Sequence, residues 1–453
     1  MARVAALLRR LSLAALLGWS AAGAASSATG AMTAGLATPA RDDEIVAQLP
    51  AHLGDAAERR AARAAERAQR VQLQAHPDEL GLALQAARDA LARGRRQGDP
   101  RELGTVEAAL APWWTLAAPP PEVRLMRATV HQSQHEFQKA LVDLDALLAA
   151  PGIPLPVRAQ AELTRSGVQQ VLGHLPEAEA GCRRLAQPEF LALGDGVRHN
   201  ALACIAELAS LQGREGPAAA TLARLAGAAA PDAPGAAPGW LQLMRAELAQ
   251  RRGDASAGPL FAAALQSDPD VYTLCAYADW LLDARRPADV LALLKGHEAA
   301  DPVLLRIALA ERALLGARDA RTRRDIRTLG DRYDAALLRG DRSHGREQSR
   351  YELDLRGNPR AALALAQANW RVQHEPADAV VLARAAHAAG RDDAAEEVWR
   401  YLRETGGRDA RLAIGGAAAT PFLPAPSVVD AQREAPPQAP TSAASPAVNG
   451  SAS

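Results

Sequence analysis

After residue 75 the chain repeats itself. A helix, a short polar or glycine-containing turn and a second helix return roughly every 33–40 residues. A unit of that size cannot bury its apolar face alone, so its neighbours must bury it. That recurrence commits the chain to a stacked array of helix pairs. The clearest unit runs from Asp270 to Pro302. Leu274, Tyr277, Ala278 and Leu281 fall at i, i+3, i+4 and i+7 and make one apolar stripe on a helix. Arg285-Arg286-Pro287 breaks that helix, Val290, Leu291, Leu293 and Leu294 begin a second, and Asp301-Pro302 ends it.

The same turn recurs at His135-Glu136-Phe137-Gln138-Lys139-Ala140, Gly173-His174-Leu175-Pro176-Glu177-Ala178, Gly357-Asn358-Pro359-Arg360-Ala361-Ala362 and Gly390-Arg391-Asp392-Asp393-Ala394-Ala395. Each places glycine or a polar residue at the end of one helix and a polar start before the next. Gly98-Asp99-Pro100 and Gly253-Asp254 mark two more. The pattern predicts about nine hairpins between roughly residues 76 and 410. One is longer than the rest, with a helix over 303–316 and an extended helix over about 319–338. Composition agrees. Alanine and leucine carry the 48% hydrophobic content, aromatics are 4%, and β-branched residues are sparse, which favours helix over strand.

The Asp270–Pro302 spacing resembles the tetratricopeptide repeat. In that family a large apolar residue is followed by a small one that lets the two helices approach, and a proline closes the unit. Ala278 stands at the small position and Pro302 at the closing proline, while Val290 stands where alanine is usual. Three phrases also resemble uncharacterised exported tetratricopeptide proteins of proteobacteria. They are Leu110-Ala111-Pro112-Trp113-Trp114, Gln367-Ala368-Asn369-Trp370 with Glu375-Pro376-Ala377-Asp378, and His344-Gly345-Arg346-Glu347. The resemblance implies an all-α fold, a right-handed superhelical solenoid of such helix-turn-helix repeats. It brings no activity with it.

The two ends of the chain differ from the array. Arg3, Arg9 and Arg10 precede an apolar run from Leu11 to Ala22, and small residues follow, so residues 1–25 read as a signal peptide cleaved near Ala24 or Ala25. The apolar run is shorter than a membrane span, which needs about 20 residues, and no later segment is apolar enough to span. The expected mature chain is exported to a bacterial periplasm. Residues 26–40 read as a flexible linker and 41–75 as capping helices, with a polar outer face as array ends require. The array divides into lobes at 76–226 and 240–416, joined by an Ala/Pro/Gly-rich loop over 227–239. Residues 417–453 are Ala, Pro and Ser-rich without periodicity and read as a disordered tail.

Charge narrows the partners. Lysine plus arginine and aspartate plus glutamate are both 52, so there is no global attraction to nucleic acid or an anionic membrane. Cys182, Cys204 and Cys275 are too few for a disulfide framework and lack zinc spacing. An oxidising compartment would allow Cys182 to pair with Cys204 and leave Cys275 single and buried.

Few residues point to chemistry. His131 and His135 lie four apart on an expected helix, where two imidazoles would share a face, but no third ligand is near in sequence. Asp341-Arg342-Ser343-His344-Gly345-Arg346-Glu347, followed by Arg350, is the densest polar stretch. His344, Arg346, Glu347 and Arg350 would form either an acid–base site or a capping arrangement that ties the long hairpin to its neighbour. Arg318, Arg321, Arg323, Arg324 and Arg327 read as a solvated helix face laced with ion pairs. The tryptophans read mainly as helix packing. No phosphate-binding glycine loop, zinc-protease helix, nucleophile elbow or Cys-x-x-Cys is present. The expectation is a scaffold that binds other proteins or peptides, with no cofactor, no metal and no enzymatic activity. The alternatives are a small-ligand or metal-binding periplasmic protein hinged at the 227–239 joint, and a helical enzyme using His344 and Glu347.

Overall fold

The computed structural model describes residues 56–227, 238–267, 269–338 and 344–412. The expected signal peptide, the expected 26–40 linker, residues 41–55 of the expected capping helices, most of the 227–239 joint, Asp341 to Ser343 and the expected 417–453 tail lie outside the described residues.

The described residues are helical, with no strand among them, and the helices pack in consecutive pairs. A first helix, α1 (Ala56–Ala75), precedes the pairs. Pair one is α2 (Leu80–Gln97) and α3 (Arg101–Ala109), followed by the single turn α4 (Ala111–Trp114). Pair two is α5 (Pro121–Ser133) and α6 (Phe137–Ala149). Pair three is α7 (Leu155–Val171) and α8 (Leu175–Leu185), followed by the turn α9 (Pro188–Leu191). Pair four is α10 (Asp195–Leu211) and α11 (Glu215–Gly227), and pair five is α12 (Gly239–Arg251) and α13 (Ala257–Ser267). Pair six is α14 (Val271–Asp283) and α15 (Pro287–Leu294), and pair seven is α16 (Asp301–Leu315) and α17 (Ala320–Leu338). Pair eight is α18 (Gly345–Arg350), widened into π turns over Tyr351–Arg356, and α19 (Pro359–Trp370). Pair nine is α20 (Pro376–Ala388) and α21 (Glu396–Thr405), the latter entered through a 3₁₀ turn at Asp392–Ala395.

One conformational device builds all nine turns. Each turn inside a pair holds one residue at positive φ: Gly98, His135, Gly173, Gly213, Gly253, Arg285, Gly316, Gly357 or Gly390. Left-handed backbone reverses the chain in a few residues, and glycine enters it without the Cβ penalty. His135 (φ 59°) and Arg285 (φ 60°) adopt it with a side chain attached. The following helix then starts on local signals. Asp270 caps α14 by accepting from the Thr273 N–H at 2.7 Å, and Pro287, Pro359 and Pro376 occupy first turns, where a missing N–H costs nothing.

Pro302 acts differently from the sequence expectation. Helix α15 has already ended at Leu294, and Pro302 sits in the first turn of α16. It therefore starts the next pair, because its fixed φ suits a helix entry. Ala278 is fully buried, with Leu274 and Leu281, in a core that also holds Val290 and Leu294 of its partner helix; Tyr277 packs at the margin.

The core passes without a gap from pair to pair. Leu222 and Leu225 of α11 share one cluster with Trp240, Leu241, Met244 and Leu248 of α12, on the two sides of the 227–239 joint. The array also meets itself over long sequence distances. Gly98 lies against Val271 and Ala300, which brings pair one to pairs six and seven. The His374 N–H donates to the Val171 carbonyl at 2.7 Å, Gly213 lies against the Gly406 carbonyl, and Gly253 lies under Ala410. Pairs three to five are thus covered by pair nine and the segment after it.

Candidate functional site

Buried polar residues are unevenly placed. Gln160, Glu162, Thr164, Ser166, Gln169 and Gln170 on α7, Asn200, Glu207 and Ser210 on α10, and Arg251 on α12 all belong to first helices of pairs. So do Arg306 and Glu311 on α16, Arg346, Glu347 and Ser349 on α18, and Asp378 on α20. The second helices contribute mostly aliphatic packing, with Asp143, Thr322, Asp325 and Asn369 as exceptions. Buried polar groups therefore concentrate on the first helices, some of them turned to the second helix of their own pair, as Glu162 is to Arg184 and Glu311 to Arg321.

The densest cluster of these groups is an ion network across pairs six to nine. Arg306 of α16 donates to Asp279 of α14 through Nε at 3.1 Å and Nη2 at 2.7 Å. Arg350 donates to both Asp279 oxygens, at 2.9 and 3.0 Å. Burial pushes the Asp279 carboxyl up, but these two guanidiniums outweigh it and hold the group at about 2. Glu347 lies 3.4 Å from Arg346 and 3.9 Å from Arg306. Burial again pushes upward, and Arg346, Arg306, His344 and Arg350 together pull Glu347 down to about 2. Arg346 reaches the next pair, donating to Glu375 at 2.7 Å and to Asp378 at 3.4 Å. Asp378 also accepts from Asn369 at 2.9 Å, Gln373 at 3.2 Å and the Glu375 backbone N–H at 3.0 Å.

Two of the three phrases that carried the family resemblance thus converge, Gln367–Trp370 with Glu375–Asp378 and His344–Glu347. Asn369, Glu375 and Asp378 surround Arg346, and Gly345 passes so close to Asn369 that a Cβ there would sit 2.9 Å from the Asn369 Cβ. His344 is 1% exposed and packs with its ring centroid 6.4 Å from that of Tyr333. Neither His344 nor Glu347 is open to a reactant. Glu347 is 4% exposed, ionised at neutral pH and held by guanidiniums.

A second polar group joins pairs four to six. Tyr272 donates to Glu247 at 2.7 Å, and Arg251 donates to Ser210 at 2.6 Å and to Glu207 at 3.3 Å. Burial, then the neighbouring Glu207 carboxylate, pushes Glu247 up to about 7 against the pull of the Tyr272 hydroxyl and Arg251. Arg384 pairs with Asp354 at 2.6 Å and Arg411 with Asp409 at 2.6 Å. Asp283, at the exposed end of α14, lies within electrostatic reach of Arg411, Asp279, Arg350 and Arg384.

Other candidates resolve individually. Cys182 of α8 and Cys204 of α10 form a disulfide with their Cα atoms 5.8 Å apart, and Cys275 is buried. Burial raises its thiol to about 12, which leaves it unreactive. His131 and His135 do not share a helix face, because α5 ends at Ser133 and His135 is left-handed. His131 bonds Glu136 at 2.7 Å, while His135 stacks on Phe137. No group of three or more metal-binding side chains exists among the described residues. Arg321 pairs with Glu311 across the long hairpin, and Arg324 pairs with the adjacent Asp325. No helix among the described residues is long and apolar enough to cross a membrane.

The sequence reading missed Asp279, Arg306, Glu247 and Tyr272. Each lies inside an apolar helical stripe, where one charge or hydroxyl leaves no pattern. No known protein family matches the chain, and no curated protein matches it.

Proposed function

We propose that the chain is an exported scaffold of tetratricopeptide type, wound as a right-handed superhelix, that holds a segment of another envelope protein against its inner face. The observation that carries this is the concentration of polar side chains on the first helices of successive pairs. Most of these side chains are buried and paired within the chain, so the groups left for a peptide backbone or a polar helix are those at the exposed margin of these helices, such as Asp283 at the end of α14, while the second helices supply the packing. The nine left-handed turns support a true repeat. The Cys182–Cys204 disulfide supports an oxidising compartment, in keeping with the signal segment. A non-catalytic role is supported by the state of His344 and Glu347, which are buried and committed to structural contacts.

The test is affinity capture by the mature chain from an extract of its own cell envelope. A defined protein should be captured, and Asp283→Trp should lose it at an unchanged melting temperature, because the added bulk obstructs the inner face. Co-purification of a metal or metabolite with no captured protein would turn the assignment to ligand binding.

A further inference from the structure

His374 sits where the array meets itself. It lies in the loop between α19 and α20, yet its N–H donates to the carbonyl of Val171, the last residue of α7, at 2.7 Å. Its ring packs between Trp370, with centroids 4.5 Å apart, and Tyr401, at 5.2 Å. The turn of pair three closes over it: a Cβ on Gly173 would come within 3.1 Å of both His374 and Tyr401. The ring Nδ1 is buried without a hydrogen-bond partner among the described residues.

We propose that this seam is an acid-sensitive latch, closed by neutral His374 and opened when its imidazole takes a proton. The neutral ring is an aromatic filler among Trp370, Tyr401 and Gly173. The charged ring would carry an additional N–H into a place that offers no acceptor. The charged and titratable groups facing it among the described residues are His174 from the pair-three turn and Glu397 and Tyr401 from α21. His174 opposes protonation and Glu397 favours it, but Glu397 is exposed and screened. The indole of Trp370 recovers part of the cost through its π face. Burial remains the largest influence and, with His174, it lowers the His374 pKa below its ordinary value. The seam is therefore fully held above the ordinary histidine pKa of about 6.5 and is lost as pH falls through the lowered one. Opening would uncover the polar faces of α7 and α10, whatever the array binds.

Amide hydrogen exchange of the full mature chain tests this, read as protection factors corrected for intrinsic rate at about pH 7.5 and about pH 5. Protection of the His374 amide should fall by roughly tenfold or more in acid, while the amides of α6 keep theirs. His374→Gln should keep the seam protected at both values. Unchanged wild-type protection, or acid loss in the Gln variant equal to wild type, would overturn the latch. If His374→Gln opens the seam at both values, His174→Gln decides. Removing that neighbour should move the acid opening to higher pH, and an unmoved midpoint refutes the proposal.

Discussion

Gly213→Ala tests whether the array closes on itself, against Gly390→Ala as its control. Both glycines are left-handed turn residues, at φ +76° and +65°. An alanine in either place carries the same backbone strain, about 1 kcal/mol. Around Gly390 a Cβ would meet nothing within 4 Å, so strain is the whole cost there. At Gly213 the Cβ would lie 2.3 Å from the Gly406 carbonyl oxygen, and this is backbone, which cannot rotate away. The segment after α21 must shift, and overpacking of that kind costs about 1–3 kcal/mol more. Urea unfolding followed by helical ellipticity should give a loss of about 1 kcal/mol for Gly390→Ala and about 2–4 kcal/mol for Gly213→Ala. Equal losses would refute the reasoning, because they would mean that Gly406 does not lie on the pair-four turn.

Three further predictions follow from the buried charges and the disulfide. Glu347→Ala leaves Arg346 and Arg306 buried with one carboxylate fewer and should cost about 3–5 kcal/mol, with Arg350→Ala milder because Arg306 still holds Asp279; chemical denaturation checks both. Glu247 is pushed from 4.5 up to about 7, so its share of stability is present below the lower value and lost as pH rises through the higher. Wild type should lose on the order of 3 kcal/mol more than Glu247→Gln between about pH 4.5 and about pH 8, and parallel pH profiles would contradict this. The Cys182–Cys204 bridge closes a loop of sequence separation 22, so replacing both cysteines by serine should cost about 3 kcal/mol, with thermal unfolding as the measure.

The helix pairs were legible because their signal is redundant. Apolar spacing, turn residues and capping all point to the same boundaries, and α17 was expected over about 319–338 and runs from Ala320 to Leu338. Pro302 was misplaced by sequence because proline ends one helix and begins the next by the same property, its fixed φ and missing N–H. The shared face of His131 and His135 needed a continuous helix, and the structure instead places His135 in the turn that the repeat pattern marks there, with left-handed backbone. The His344–Arg350 stretch was visible as a polar run, but its partners Asp279, Arg306, Glu375 and Asp378 come from three other helices. Such partnerships depend on tertiary packing, which local periodicity does not encode. The seam at His374 and Gly406 is illegible for the same reason, since its contacts join residues two hundred positions apart.

The central claim is that the inner face holds a partner protein. A photo-reactive amino acid replacing Asp283, an exposed position on a first helix, tests it in the native envelope, with the same probe replacing Lys139, an exposed position on a second helix, as the control. Irradiation should yield a defined adduct from position 283 and none from position 139. Adducts from the control position alone, or from neither, would contradict a scaffold that works through its inner face.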